Sequence, residues 1–264
     1  MRTVKQLVKQ AAVTTATVAL GMTLVSTSAQ AQNQEQARVT NVVIVHGALV
    51  DGSGWRDVYE LLIRDGFKVT IVQEPLTSLA DDVAATKRIL DFEDGPTILV
   101  GQSYGGTVIT QAGTDPKVKA LVYVSATAPE VGESTAQLVM SIPPASNNIH
   151  PTADGFLFEN PADFAADFAA DVPNKASVEF MAHSQAFVAA TAFAAPVSEA
   201  AWHNKPSYGV VPTEDRIINP ELERKMYRRA GAKVTEVKGA SHSVFVSQPR
   251  VVADVIEEAA RDTN

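Results

Sequence analysis

A serine set between glycines is the first feature of the chain that suggests chemistry. The segment GQSYGG, residues 101–106, follows the apolar run 97–100 and precedes a helix-permissive stretch from Tyr104 to Ala112. A strand, a Gly-x-Ser-x-Gly turn and a helix form a turn so tight that glycine is needed two residues away on each side. The serine then projects from the carboxyl edge of a sheet, at a helix N-terminus. Ser103 is therefore a candidate nucleophile. A phosphate-binding loop would need Gly-x-Gly-x-x-Gly or Gly-Lys-Ser/Thr, and neither is present.

A serine nucleophile needs a base and an acid that orients the base. His242 lies in KGASHSVF, just after the last predicted strand. Asp215 lies in PTEDRIINP, just after the predicted strand that ends near Pro212. Both loops emerge at the same sheet edge as Ser103, in the chain order Ser, Asp, His that this type of fold uses. The neighbouring Glu214 is the alternative to Asp215.

An acyl-transfer site also needs hydrogen-bond donors for the oxyanion. The first predicted strand ends in VHGALVDGSGW, where Gly47 permits close backbone approach. We assign the backbone N–H groups of Ala48 and Tyr104 to the oxyanion hole. We interpret His46 as a structural histidine near that loop. Trp55 is a candidate substrate-binding residue, and a core position at the start of a helix is the alternative.

The elements that must position these residues alternate between strand and helix. Apolar, β-branched runs predict strands buried on both faces, and helical spacing of apolar residues separates them. The alternation predicts an α/β fold, with a mostly parallel twisted sheet of about six strands and helices on both faces. The predicted strands are 41–46, 68–72, 97–101, 119–125, 208–212 and 233–237, and the predicted helices are 55–65, 79–91, 104–113, 220–230 and 249–261.

The alternation breaks between about residues 129 and 206, where Ala, Pro and Phe are frequent. We interpret this segment as a small helical cap inserted between two strands of a single domain, residues 32–264. Asp163, Asp167 and Asp171 recur every four residues. This spacing indicates a solvated acidic stripe on an amphipathic helix. A calcium site is the alternative, but carboxylates spaced along a helix cannot surround a cation as a loop does.

The N-terminus has the pattern of a secretory signal peptide, residues 1–31. Arg2, Lys5 and Lys9 precede the short apolar run 11–25, and residues 29–31 read Ala-Gln-Ala, a small-x-small cleavage pattern. The apolar run is shorter than the ~20 residues that a membrane-spanning helix needs. We therefore expect an exported protein, periplasmic or extracellular, with no stable membrane anchoring after cleavage.

Composition excludes several function classes. The net charge is −8 at pH 7, and removal of the signal would take away three basic residues and no acidic one. Nucleic acid is therefore not an expected partner. The chain has no cysteine, which excludes thiolate metal sites, cysteine nucleophiles and disulfides. The expected partner is a small-molecule ester substrate.

The motifs together resemble one known superfamily. HGALVDGSGW, GQSYGG, PTEDRIINP and GASHSVFVSQP make the chain similar to α/β-hydrolases over about residues 41–260. It most resembles a compact branch that contains plant methylesterases, hydroxynitrile lyases and bacterial pyrethroid-type esterases. The resemblance implies a Ser103–His242–Asp215 triad and an oxyanion hole at Ala48 and Tyr104.

Three departures from related families narrow the chemistry. Gln102 stands where the superfamily often has His, and we expect little effect from it. Hydroxynitrile lyases of this branch use a Thr in the oxyanion loop and a Lys after the catalytic His. Gly47 and Ser243 stand at those places here, which disfavours cyanohydrin cleavage. Epoxide hydrolases and haloalkane dehalogenases of the superfamily carry Asp at the nucleophile position. Ser103 stands there in this chain, which argues against both activities.

The sequence therefore predicts a secreted serine hydrolase that cleaves carboxylic esters of small to medium apolar or aryl substrates, without metal or organic cofactor. Two alternatives remain open. One is a cofactor-free haloperoxidase, lactonase or amidase activity on the same triad, since fold and triad do not separate these chemistries. The other is a small-ligand binding protein that keeps the triad. Turnover separates an enzyme from a binder.

Overall fold

The computed structural model of the chain describes residues 39–264, so the predicted signal peptide lies outside the described part. Six strands form one parallel sheet, as the sequence predicts, and their order across the sheet is β2-β1-β3-β4-β8-β9. The strands of this sheet are β1 Asn41–Val45, β2 Lys68–Val72, β3 Thr97–Gln102, β4 Val118–Val124, β8 Ser207–Pro212 and β9 Lys233–Val237.

Burial along the sheet follows strand position. The four inner strands, β1, β3, β4 and β8, are buried almost throughout, which fits their unbroken apolar runs. The outer strands β2 and β9 are largely exposed or half-buried, so the expectation of burial on both faces is wrong for them. Each edge strand has only one neighbour, and polar residues such as Lys68 and Lys233 begin them.

Helices cover both faces of this sheet. Helix α1 packs against α10, and α2 packs against α3. Local sequence explains where they begin: Ser78 caps α2 by accepting from the N–H of Asp81, and Pro220 and Pro249 open α8 and α10. The helices outside the cap are α1 Arg56–Arg64, α2 Leu79–Phe92, α3 Gly105–Ala112, α8 Pro220–Arg229, α9 Val244–Ser247 and α10 Pro249–Asp262.

The cap lies between β4 and β8, but it is not purely helical. It contains a three-stranded antiparallel sheet as well as four helices. The strands are two to four residues long, too short to show an alternating pattern in the sequence. The cap elements are α4 Thr135–Ser141, β5 Ile149–Pro151, β6 Phe156–Glu159, α5 Pro161–Asp167, α6 Lys175–His183, β7 Val188–Ala189 and α7 Ala190–Ala194.

Within residues 39–264, no helix combines the length and the apolarity needed to cross a bilayer.

Candidate active site

Ser103 occupies a strained turn between β3 and α3. Its φ is 55°, a left-handed value that is unusual for a residue with a side chain. The flanking glycines are required by space: a Cβ on Gly101 would lie 2.5 Å from the carbonyl oxygen of Gly105, and one on Gly105 would lie 2.6 Å from that of Val45. The predicted tight turn is present, and strain of this kind is typical of functional sites.

Ser103 lines a cavity, and its hydroxyl is not hydrogen-bonded to a base among the described residues. Ser103 is 5% exposed and lines a cavity of about 460 Å³. Its carbonyl accepts from the Thr127 hydroxyl at 3.4 Å, whereas its own hydroxyl makes no hydrogen bond to any residue in 39–264. Ser103 therefore borders the cavity with its hydroxyl unpaired within the described residues.

His242 and Asp215 form a buried pair. The Nδ1 of His242 lies 2.7 Å from Oδ2 of Asp215, and both side chains are almost fully buried. The other carboxylate oxygen of Asp215 accepts from the backbone N–H groups of Ile217 at 2.7 Å and Ile218 at 2.9 Å. Both carboxylate oxygens of Asp215 therefore have hydrogen-bond partners. The structure brings Asp215 to the histidine, whereas Glu214 is exposed.

The loop that carries His242 is fixed from two sides. Ser125, at the end of β4 with φ 43°, donates from its hydroxyl to the His242 carbonyl at 2.9 Å. From the cap, the ring of Phe168 stands edge-on to the imidazole with centroids 5.3 Å apart, and the Phe168 carbonyl accepts from the N–H of Ser243 at 2.8 Å. Sheet and cap together orient the imidazole.

Gln102 makes contacts that the sequence did not reveal. Its Oε1 accepts from the N–H of Gly47 at 3.0 Å, and its Nε2 lies 3.1 Å from Nε2 of His242. The expectation that a Gln before the nucleophile has little effect is therefore not supported by the geometry. The only sequence signal was its departure from the usual His, because nothing in the local pattern tells where a glutamine side chain points.

The two predicted oxyanion donors are free. Neither Ala48 nor Tyr104 donates its backbone N–H to a residue in the described part of the chain. Tyr104 is held in place by its side chain, whose hydroxyl donates to Oδ2 of Asp82 at 2.8 Å and whose ring stacks on Phe193. Unpaired N–H groups beside a serine are what an oxyanion hole needs.

His46 has the structural role that the sequence predicts. Its Nε2 accepts from the N–H of Glu74 at 3.0 Å, so its Nδ1 carries the proton and donates to the Gly47 carbonyl at 2.8 Å. Burial lowers the pKa of His46, which keeps the ring neutral. Both ring nitrogens are used, so His46 cannot serve as a second base.

Trp55 lies in the core and not at the cavity. It is completely buried and stacks on Phe245 with ring centroids 4.7 Å apart. It is absent from the residues that line the cavity at Ser103. The structure thus supports the core alternative, because the turn 52–55 directs the indole towards α9.

The acidic stripe of the cap is also different from the expectation. Asp167 is buried and accepts from Ser146, Asn148 and Arg216, the last at 2.9 Å. Asp171 lies beyond the end of α5 and accepts from the N–H of Ser241 at 3.0 Å. Because Arg216 and Ser241 adjoin Asp215 and His242, these two acids connect the cap to the loops that carry Asp215 and His242. The spacing of the aspartates could not indicate these contacts, because their partners are distant in the sequence.

A buried carboxyl lies behind the Asp215 carboxylate. Glu223 of α8 is completely buried, and neither of its carboxyl oxygens has a partner among the described residues. Burial, with a smaller contribution from the negative charge of Asp215, raises the pKa of Glu223 well above its usual range. Burial therefore favours the protonated form of Glu223.

The cavity at Ser103 is mostly apolar. Its walls come from α4, the loop that follows it, α7 and the loop after Asp215, and none of the residues that line it is charged. The apolar lining residues are Ala136, Val139, Met140, Pro143, Pro144, Ile149, Phe193, Ile217 and Ile218.

Comparisons with known proteins place this geometry in context. A family model described as "Alpha/beta hydrolase family" matches residues 42–255. A putative chloroplastic methylesterase of Arabidopsis thaliana is 25% identical over 86% of this chain, and a carbendazim-hydrolysing esterase of Nocardioides sp. is 36% identical over 40% of it. The chain spans 65% of the first relative's length and 50% of the second's, less than two thirds of either.

Solved structures show the same fold. A pyrethroid hydrolase from Sphingobium faniae JZ-2 superposes with a TM-score of 0.71 at 22% identity, over 84% of this chain and 98% of that one. Polyneuridine aldehyde esterase gives a TM-score of 0.72 at 20% identity, over 84% and 99%.

Proposed function

Because the chain belongs to the alpha/beta hydrolase family, we propose that it is a serine esterase whose triad is Ser103, His242 and Asp215. The buried His242–Asp215 pair at 2.7 Å is the observation that carries this proposal. A neutral imidazole with its proton on Nδ1 has a lone pair on Nε2, as a general base needs. The strained Ser103 turn at the mouth of an apolar cavity supplies the nucleophile.

In the proposed mechanism, Ser103 attacks the acyl carbon of an ester while His242 accepts the serine proton at Nε2. Asp215 stabilises the resulting imidazolium. The tetrahedral oxyanion accepts hydrogen bonds from the amides of Ala48 and Tyr104, which have no other partner in residues 39–264. His242 then returns the proton to the leaving alcohol, and water hydrolyses the acyl-enzyme by the reverse roles.

The proposed substrates are neutral esters with a small to medium apolar or aryl group. The cavity of about 460 Å³ offers apolar walls and no charged side chain, so burying a charged group there has no compensating partner. The names of a methylesterase, a carbendazim-hydrolysing esterase and a pyrethroid hydrolase among the related proteins fit such esters.

Hydrolysis of p-nitrophenyl esters, from acetyl to long acyl chains, tests the proposal. We expect turnover of the shorter esters, with a loss of roughly 10⁶ in kcat for Ser103→Ala, as for the serine of other triads. Ser198→Ala is the matched control, because Ser198 is exposed and bonds only Gln111. Its rate should equal that of the wild type.

The outcome also separates the alternatives. Tight retention of an apolar ligand without turnover of any ester would favour the binding protein. The protein could instead hydrolyse lactones or amides, or form peracids, faster than it hydrolyses esters. If Ser103→Ala abolished that activity, the triad would stand and the ester chemistry would be replaced. Equal ester turnover in wild type and Ser103→Ala would contradict the triad itself.

We further propose export, with cleavage after Ala31. The proposal rests on the basic, apolar and small-x-small order of residues 1–31. Mass spectrometry of the mature chain, recovered from the medium or periplasm of a secreting host, should find Gln32 at the N-terminus. An uncleaved chain confined to the cytoplasm would contradict export.

A further inference from the structure

A single chain of hydrogen bonds crosses the site through Gln102. The N–H of Gly47 donates to Oε1 of Gln102 at 3.0 Å, which fixes the amide so that its NH₂ faces His242. Nε2 of Gln102 and Nε2 of His242 are 3.1 Å apart. Nδ1 of His242 and Oδ2 of Asp215 are 2.7 Å apart. Gln102 is 1% exposed, so water does not compete for these contacts.

The direction of every bond in this chain is determined by its ends. Asp215 is an acceptor, so Nδ1 of His242 carries the proton. The Gln102 amide is a donor at the other end, so Nε2 of His242 must offer a lone pair. The contact therefore exists only with a neutral imidazole in the Nδ1–H tautomer, which is the form a general base needs.

Proton transfer reverses this favourable arrangement. When Nε2 of His242 takes the proton of Ser103, an N–H faces the NH₂ of Gln102, and two donors repel each other at this distance. The hydroxyl of Ser103 has no partner in the described chain. Because Nε2 of His242 has a single lone pair, the Gln102 amide occupies the hydrogen-bonding position that the Ser103 hydroxyl must take. We propose that Gln102 is a positioning residue that holds His242 unprotonated at Nε2 and yields that nitrogen to Ser103 during catalysis.

The surroundings of the imidazole leave few other groups to set its charge. Asp215 contacts it directly, and the buried carboxyl of Glu223 on α8 lies near Asp215. From the cap, Phe168 contacts the ring, and Asp171 binds the adjacent Ser241. The β4 loop contributes the hydroxyl of Ser125, which binds the His242 carbonyl.

Two substitutions separate the donor role from simple packing. Gln102→Glu keeps an acceptor for Gly47 and replaces the donor by a carboxylate that stabilises a protonated Nε2. Gln102→Met keeps approximate size and removes both hydrogen bonds. Since a hydrogen bond to a charged group changes an equilibrium by one to two powers of ten, we expect Gln102→Glu to move the acid limb of kcat/KM up by about one to two pH units. Gln102→Met should move it up by less than one.

The matched control changes charge without touching His242. Gln111→Glu, on α3, adds the same charge and keeps an acceptor for the N–H of Ser198. Its acid limb should coincide with that of the wild type. A limb of Gln102→Met that coincides with the wild-type limb would overturn the proposal, because a merely structural Gln102 would lower the rate without moving the limb. Gln102→Glu serves as a calibration, since a carboxylate at this position raises the pKa of the imidazole whatever the amide does.

A second measurement does not require turnover. The inference rests on the proposed function, so the protonation of His242 is also followed by the ring resonances in NMR titrations of the same four proteins. If no ester is hydrolysed, the esterase proposal fails, while an upward shift of the His242 midpoint in Gln102→Met still supports the role of Gln102. An unmoved midpoint overturns that role whatever the rates.

Discussion

The acid that faces His242 is selected by the backbone that surrounds it. Two N–H groups, of Ile217 and Ile218, donate to the Asp215 carboxylate and direct its second oxygen at the imidazole. The adjacent Glu214 has an exposed side chain. Sequence position alone left the choice between the two acids open.

Replacing this carboxylate should remove most of the activity. Asp215→Asn cannot stabilise the imidazolium, and it favours the wrong tautomer of His242, so we expect kcat for ester hydrolysis to fall by roughly 10⁴. Glu214→Gln is the control at the neighbouring position and should keep the wild-type rate. A large loss in Glu214→Gln with a small one in Asp215→Asn would contradict the assignment.

The tight turn at residues 101–105 gives a further prediction, because it leaves no room for an added methyl group. In Gly105→Ala the new Cβ would lie 2.6 Å from a β1 carbonyl oxygen, and backbone cannot move aside cheaply. We expect the free energy of unfolding to fall by about 1–3 kcal/mol, measured by urea denaturation. In Gly95→Ala the nearest atom is 3.6 Å away, so this control should unfold like the wild type. Equal unfolding curves for both variants would show that the turn at residues 101–105 tolerates a methyl group.

At the level of elements, the cap is hydrogen-bonded to the loops that carry Asp215 and His242. Asp167 of α5 binds Arg216, next to Asp215, and Asp171 binds Ser241, next to His242. The loop that follows β1 is attached as well, because the N–H of Leu49 donates to the Ala186 carbonyl at 3.0 Å. Each loop at the site therefore takes part of its position from the cap.

Loosening one of these bonds should affect binding and turnover together. Asp167→Ala leaves Arg216, Ser146 and Asn148 without their shared acceptor, so we expect kcat/KM to fall by about tenfold and the cap to be cut faster in limited proteolysis. Asp163→Ala, on the same helix, is the control, since the Asp163 side chain makes no hydrogen bond within residues 39–264. If both variants behave alike, α5 acts only as a surface helix.

Considered as a whole, the molecule buries several carboxyl groups that stay protonated. Burial, with a smaller contribution from Asp82, raises the pKa of Glu74 to about 9. Burial, with Asp167 nearby, raises the pKa of Glu159 to about 8. In the unfolded chain these groups release their protons near pH 4.5, so the folded state holds more protons above that pH.

The free energy of unfolding should therefore fall as the pH rises from about 4.5 to about 9. Glu74→Gln removes one group that binds a proton more tightly in the folded state than in the unfolded chain, and it keeps an acceptor for the Thr86 hydroxyl. We expect its slope of stability against pH to be shallower than that of the wild type, by at most about 1.4 kcal/mol per pH unit. Urea denaturation across this range measures it. Glu60→Gln, at an exposed position, should leave the slope unchanged, and an unchanged slope in Glu74→Gln would contradict the buried proton.

Sequence patterns captured the sheet because its inner strands are long, apolar and β-branched, and the confirmed order of elements follows from that. They missed β5, β6 and β7, which are too short for a period to appear. The positions of Ser103, Asp215 and His242 could be expected from the shared sheet edge. The contacts of Gln102 and Asp167, and the burial of Trp55 against Phe245, depend on side-chain directions and distant partners, which no local spacing encodes.

The insertion point of the cap has a consequence for how such proteins diversify. The chain leaves the sheet after β4 and returns at β8, and these two strands are hydrogen-bonded neighbours. Because the two strands are parallel, the insert leaves at the carboxyl edge of the sheet and must cross to the amino edge before it enters β8, so a cap that replaces it must also make this crossover. The module is not autonomous, however, because a grafted cap must bring its own counterparts of Asp167 and Asp171. New selectivity can arise by recombination at this junction only when those two anchoring points travel with the insert.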